Sequence, residues 1–299
     1  LDGKVDIAIG NVVGSNILNV LLILGASAVI TPLVVHLQLI RQEVPIMIAA
    51  SVALLLMMLD GVVATWESAL LVGAMVIYTV FLVWQSRRQS ASADAEFEGE
   101  VDLNSTWDRH WSVQLGLILL GLVALVTGSH FLVEAAVTTA KQWGVSDMVI
   151  ALTIVALGTS LPEIATSVTA ALKGQRDMAV GNVVGSNTFN ILGCLGISGM
   201  LSTSGLVVAE SVIHFDAWVM LAVALACLPI FISGREIARW EGVVFLLYYA
   251  AYTAYLILAS QAHDALQQFS VVMLYFVVPL TVITMAVSLF KHRRVGRTP

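Results

Sequence analysis

Charge is scarce in this chain. Asp, Glu, Lys and Arg make up 11% of its 299 residues, against about 25% in an ordinary soluble domain. Hydrophobic residues reach 59% and mean hydropathy is +0.92. So much apolar surface has no place to hide in a water-soluble globule, which excludes a soluble enzyme, a nucleic-acid binder and a disordered chain. Basic residues are outnumbered 14 to 20, which argues against a polyanionic partner. The two cysteines, Cys194 and Cys227, both lie in apolar runs and form neither a disulfide framework nor a thiolate metal motif. No GxxxxGKS phosphate loop is present, so nothing points to ATP-driven chemistry. The chain also starts at Leu1, without an initiator methionine or a signal-peptide pattern.

What is present is a succession of apolar runs. A membrane-spanning helix needs about 20 mostly apolar residues. Nine runs qualify, at approximately 7–30, 44–59, 66–85, 112–138, 147–172, 178–201, 212–233, 240–260 and 269–290, the second being the shortest. The fold class read from them is an all-α polytopic membrane protein. Trp66, Trp84, Trp111, Trp143 and Trp240 sit at run edges, where interfacial anchors belong. Alternating the nine spans places twelve of the fourteen basic residues on one side, leaving only Lys4 and Lys141 on the other. By the positive-inside rule the basic side is cytoplasmic, with the N-terminus outside and the C-terminus inside.

The chain repeats itself. Residues 3–19 read GKVDIAIGNVVGSNILN and residues 174–190 read GQRDMAVGNVVGSNTFN, with eleven of seventeen positions identical. Val34-Val35 returns as Val207-Val208, and Trp66-Glu67 as Trp240-Glu241. An odd number of spans separates the two copies, so they cross in opposite directions, the arrangement of secondary transporters with a midplane site. Residues 1–85 read as a first repeat, 86–111 as an acidic cytoplasmic loop, 112–260 as a second repeat, and 261–299 as an appended helix with a basic tail. The second copy is preceded by two spans and the first by none, so by symmetry about two helices are expected to be missing ahead of Leu1.

One acid lies midway along a span. Glu163, in ALTIVALGTSLPEIATSVTAAL, costs roughly 2.5–3.5 kcal/mol or more at a helix centre, which makes it a functional candidate. Pro162 before it lacks an N–H and breaks the helix, freeing carbonyls near Gly158 and Thr159. Thr159 and Ser160 add hydroxyls. An all-oxygen set of this kind suits a hard cation, and Ca2+ usually takes 6–8 ligands. In the next span Asn182, Ser186 and Asn190 recur every four residues on one face, as do Asn11, Ser15 and Asn19 in the first copy. These side chains could complete a cation shell or bond between helices; Ser186 and Asn190 are favoured as ligands. Gly10-x3-Gly14 and Gly181-x3-Gly185 are read as close-packing sites. Asp6 and Asp177 suit helix N-termini. His130, Glu134, Glu67, His214, Asp216 and Glu241 fall toward span ends and are read as solvated at the interface.

With Gly158-Thr159-Ser160-Leu161-Pro162-Glu163 and the duplicated GNVVGSN followed by Asn19 or Asn190, the sequence resembles the cation/Ca2+ exchanger superfamily, especially prokaryotic sodium/calcium exchanger-like proteins. The resemblance covers the chain to about residue 260. It implies a ten-helix fold of two inverted five-helix halves that moves Ca2+ out against entering Na+ or H+, by alternating access and without ATP or a resident cofactor. It also implies that Glu163 coordinates Ca2+ and that Thr159 and Ser160 supply oxygens. Ser186 and Asn190 would line the second-repeat half of the site, with Ser15 and Asn19 lining the first. The chain departs from the family pattern twice. Asn190 stands where an aspartate is common, which bears on stoichiometry and on Na+ against H+ coupling. The first-half GTS-x-P-E segment is absent, so these 299 residues alone are expected not to exchange Ca2+. A passive cation channel and an intramembrane enzyme are the other classes. The enzyme lacks a second central catalytic group, and a channel cannot move an ion uphill.

Overall fold

The computed structural model describes residues 5–97, 111–143, 156–260, 263 and 265–283. Its first helix, α1, runs Val5–Leu18, widens into a π-helical segment at Asn19–Leu24 and resumes as Gly25–Ile30. A two-residue strand, β1 (Leu33–Val34), leads to α2, whose π-helical first turn Leu39–Glu43 continues as Val44–Met58. Then come β2 (Val62–Val63) and α3 (Thr65–Phe97). The second half opens with α4 (Trp111–Gln142), followed by the short α5 (Ala156–Thr159) and by α6 (Leu161–Leu172). α7 repeats the form of α1, as Arg176–Phe189, a π-helical Asn190–Leu195, and Gly196–Leu201. After β3 (Leu206–Val207), α8 repeats α2 with a π-helical Val212–Asp216 before Ala217–Ile232. β4 (Glu236–Ile237), α9 (Arg239–Ser260) and α10 (Ala265–Val272, then π-helical Met273–Val277) complete the described chain.

The strands reveal the symmetry directly. β1 pairs antiparallel with β4, joining Leu33 to Ile237 and Val34 to Glu236, while β2 pairs with β3, joining Val62 to Val207 and Val63 to Leu206. α2 separates β1 from β2, so the two pairs sit at opposite ends of the bundle. α1 therefore delivers the chain to one end and its copy α7 to the other: the repeats are inverted. Each half also borrows from its twin in packing. The last segment of α1 lies on α9, and the last segment of α7 lies on α3.

Small residues allow those contacts. A Cβ built on Gly242 would stand 2.8 Å from the Gly25 carbonyl oxygen, and one on Gly196 would stand 2.8 Å from Val72. The recurring Trp-Glu also gains a structural reason. Glu67 accepts a bond from the Ala64 N–H at 2.8 Å, and Glu241 from the Ala238 N–H at 2.8 Å. Each glutamate, three residues past the helix-capping position, satisfies a donor the helix leaves orphaned. Both are nearly buried, at 9% and 8% exposure, so the expectation of interfacial solvation is overturned for this pair.

Seven of these helices are long and apolar enough to cross a membrane: Ala8–Ile30, Leu39–Met58, Thr65–Arg87, Trp111–Gln142, Val212–Ile232, Arg239–Ala259 and Ala265–Ile283. The count differs from nine for two reasons. Residues 147–155 of the fifth expected span lie outside the described residues, and the rest is divided at Ser160. α7 is long but diluted by Asn182, Ser186, Asn187, Thr188 and Asn190. The second span is longer than its apolar run, because the polar turn Leu39–Glu43 is helical. α3 likewise continues as helix past the end of its apolar stretch. All five edge tryptophans are exposed.

Candidate functional site

Pro162 sits in the first turn of α6, where a missing N–H costs least, so the helix restarts there and does not run through. Ser160 is the junction, with φ −101° and ψ 8°; it is 2% exposed and its N–H donates to the Leu157 carbonyl at 3.2 Å. Gly158 lies against α4, where any Cβ would overlap Val133, so close approach is what requires glycine there. Thr159 is placed only by its backbone, as the last residue of α5; its side chain lies outside the described residues. The break puts Glu163 in the first turn of a new helix, where the partial positive charge of unpaired N–H groups favours an anion.

Glu163 lines an open recess of roughly 350 Å3 together with Gly181, Asn182, Gly185, Ser186, Phe189 and Asn190. Its Oε2 is buried and, among the described residues, has no hydrogen-bond partner. A buried carboxylate oxygen left unbonded is costly, and nearly all such groups in proteins find partners. An incoming cation is the chemistry that would satisfy it. Asn182 braces the wall by donating to Thr166 Oγ1 at 3.0 Å and to Ser167 Oγ at 2.8 Å, which ties α7 to α6.

The glycines of the repeated motif do not pack as expected. Among the described residues, a Cβ on Gly10, Gly14, Gly181 or Gly185 would meet nothing within 4 Å. Gly181 and Gly185 instead leave the recess wide. Close helix packing is carried by Gly25, Gly196, Gly199 and Gly242, which lie outside that motif.

Ser15 and Asn19 are not part of the recess lining; Ser15 is partly buried and Asn19 is buried in α1. Asn19 joins the second repeat through Asn187, donating from Nδ2 to Asn187 Oδ1 at 2.9 Å, and its own Oδ1 is buried without a partner among the described residues. The matching bond runs from Asn190 Nδ2 to Asn16 Oδ1 at 3.1 Å. The structure thus gathers Glu163, Ser186 and Asn190 in one recess and links Asn19 and Asn190 to the opposite repeats. Asn16 and Asn187 were missed because they fall off the every-fourth-residue stripe. Their identity in both copies was the signal that could have found them.

Asp216, expected toward a span end, lies near the start of α8 and is half-buried; it receives the Tyr252 hydroxyl at 2.7 Å, and Tyr252 stands beside the stacked rings of Phe215 and Tyr255. Glu43 receives the Tyr78 hydroxyl at the equivalent place in the first half. Each acid closes a π-helical turn. Among the described residues no three His, Cys, Asp or Glu side chains cluster as a metal site, and Glu163 is the one carboxylate among the residues lining the recess.

Two copies of one helical unit in opposed orientations, meeting near a polar recess with a half-buried acid, define an inverted-repeat membrane transporter. The model for the family described as sodium/calcium exchanger protein matches residues 1–84 and 113–258, and the chain belongs to that family. It is 37% identical over 261 residues to the candidate antiporter CaxA of Alkalimonas amylolytica, covering 86% of this chain and 80% of that one. It is 33% identical over 277 residues to the sodium/calcium exchanger MaX1 of Methanosarcina acetivorans, covering 82% and 79%. A solved sodium/calcium exchanger from Methanococcus jannaschii superposes with a TM-score of 0.64 at 30% identity, covering 83% of this chain and 75% of that one.

Proposed function

We propose that the protein is a secondary antiporter that exchanges Ca2+ for Na+ or H+ by alternating access. The observation that carries this reading is the unpartnered, buried Glu163 Oε2 facing an oxygen-lined recess. Glu163 supplies the formal charge, and Ser186 and Asn190 supply neutral oxygens from α7. Thr159 and Ser160 add oxygens at the break. Ser15 and Asn19 serve from the first repeat. Ca2+ takes 6–8 oxygens in flexible geometry, which a broken helix with hydroxyls and amides can provide. Na+ or H+ competes for the same carboxylate, and that competition is what couples the two fluxes. The intact protein sits in the cell membrane, with its N-terminus outside and C-terminus cytoplasmic on the strength of its basic residues. The repeats are 1–85 and 112–260, joined by the acidic stretch 86–111, whose first residues to Phe97 continue α3, and 261–299 is an appendage.

Radiolabelled Ca2+ uptake into vesicles containing the intact protein tests this. Outward Na+ and H+ gradients, imposed separately, should drive Ca2+ in above equilibrium with one of them, which a passive channel never does. Glu163→Gln, which keeps shape and removes charge, should abolish uptake. Wild-type uptake by that variant would remove Glu163 from the mechanism.

A further inference from the structure

Where α1 and α7 cross, four asparagines from the two copies form a closed set. Asn16 donates from Nδ2 to the backbone oxygen of Asn187 at 3.2 Å, and Asn187 donates from Nδ2 to the backbone oxygen of Asn16 at 3.2 Å. A peptide carbonyl can only accept, so each of these amides must turn its nitrogen toward the other helix's main chain. Their side-chain oxygens are thereby fixed in the other direction. Asn16 Oδ1 faces Asn190 at 3.1 Å, and Asn187 Oδ1 faces Asn19 at 2.9 Å. An acceptor in that position admits only the NH2 end of the next amide. The oxygens of Asn19 and Asn190 are consequently turned away from the clasp.

Those two oxygens are under-used. Among the described residues Asn19 Oδ1 is buried with no partner, and Asn190 Oδ1 has the Cys194 thiol at 3.9 Å. The nitrogens of Asn16 and Asn187 approach Met220 Sδ at 3.8 Å and Met47 Sδ at 3.7 Å, soft acceptors too weak to draw them from the carbonyls. Asn16, Asn19 and Asn187 are 2%, 1% and 3% exposed, so water does not compete for these bonds.

We infer that Asn16 and Asn187 are positioning residues for cation binding, each holding the ligand asparagine of the opposite repeat with its oxygen presented to the ion. The inference rests on reading Asn19 and Asn190 as ligands. Its content is the crossed wiring: Asn16 of the first repeat sets Asn190 of the second, and Asn187 of the second sets Asn19 of the first. Neither helix can turn its ligand without disturbing the backbone contact of the other. A preset oxygen spares the ion the cost of ordering a free amide.

The test is Ca2+ uptake kinetics in vesicles for Asn16→Leu and Asn187→Leu, alongside Met47→Leu and Met220→Leu. The asparagine variants should raise KM for Ca2+ by about tenfold or more while kcat stays within about threefold, the mark of lost ground-state binding. The methionine variants disturb the same packing but spare the carbonyl bonds, and should keep KM within about twofold. A merely structural clasp would lower melting temperature in both sets and leave KM alone. Should a leucine variant not fold, Asn16→Ser and Asn187→Ser decide in its place, since a hydroxyl is too short to reach both partners. Unchanged KM in the folded asparagine variants overturns the positioning role. Glu163→Gln measured in parallel separates the two ideas: an active Glu163→Gln sinks the site itself, whereas an inactive one with unchanged asparagine kinetics sinks only the crossed wiring.

Discussion

Glycine does two opposite things in this molecule. At Gly10, Gly14, Gly181 and Gly185 it leaves space, and at Gly25, Gly158, Gly196 and Gly242 it admits a neighbour. The difference predicts opposite responses to one methyl group. Gly10→Ala should raise stability by about 0.5–1 kcal/mol, read as a higher melting temperature, because alanine costs less backbone entropy in a helix and meets none of the described residues there. Gly242→Ala should lower it, since its methyl would press on the Gly25 carbonyl. Equal melting temperatures for the two variants would contradict the assignment. A sequence shows that a glycine recurs but not which side of it is occupied, so the motif was legible and its purpose was not. Glu163 was legible because a lone mid-span acid beside proline has few cheap explanations. The amide directions at Asn16 and Asn187 were not, because they depend on a carbonyl of another helix distant in sequence.

At the scale of elements, α2 and α8 each open on a π-helical turn closed by an acid bonded to a tyrosine of the helix that follows, α3 or α9: Glu43 with Tyr78, Asp216 with Tyr252. A π-turn widens the helix and spoils its regular bonding, so an external anchor is needed to hold one in place. Tyr252→Phe should destabilise the protein by about 0.5–1.5 kcal/mol, the net worth of a typical hydrogen bond, since the pair is half-buried. Adding Asp216→Asn should recover part of that loss, and a double-mutant cycle in thermal unfolding reads the coupling directly. No coupling would mean that the bond does not hold the turn. The span itself was readable from hydropathy. Its polar first turn was not, because Arg41, Gln42 and Glu43 look like loop until the tertiary partners are known.

For the whole molecule, duplication was plain from eleven matched letters, and inversion followed from counting spans. What no count of spans supplies is that the two halves interlock at three levels: a strand pair at each end and the asparagine clasp between. Each of these contacts recurs when both residues are exchanged for their counterparts in the other repeat. Leu33 meets Ile237 while Leu206 meets Val63, and Asn16 meets Asn187 reciprocally.

Contacts of that kind are isologous, the form an interface takes between two separate copies of one chain related by a two-fold axis. The strand pairs and the asparagine clasp give the halves contacts of their own beside the peptide tether that joins them, as in a fused dimer of two subunits. Severing the chain within that tether and co-expressing the pieces should yield fragments that purify as one complex at equal stoichiometry. Pieces that part in mild detergent would show that the tether, and not the interface, holds them together.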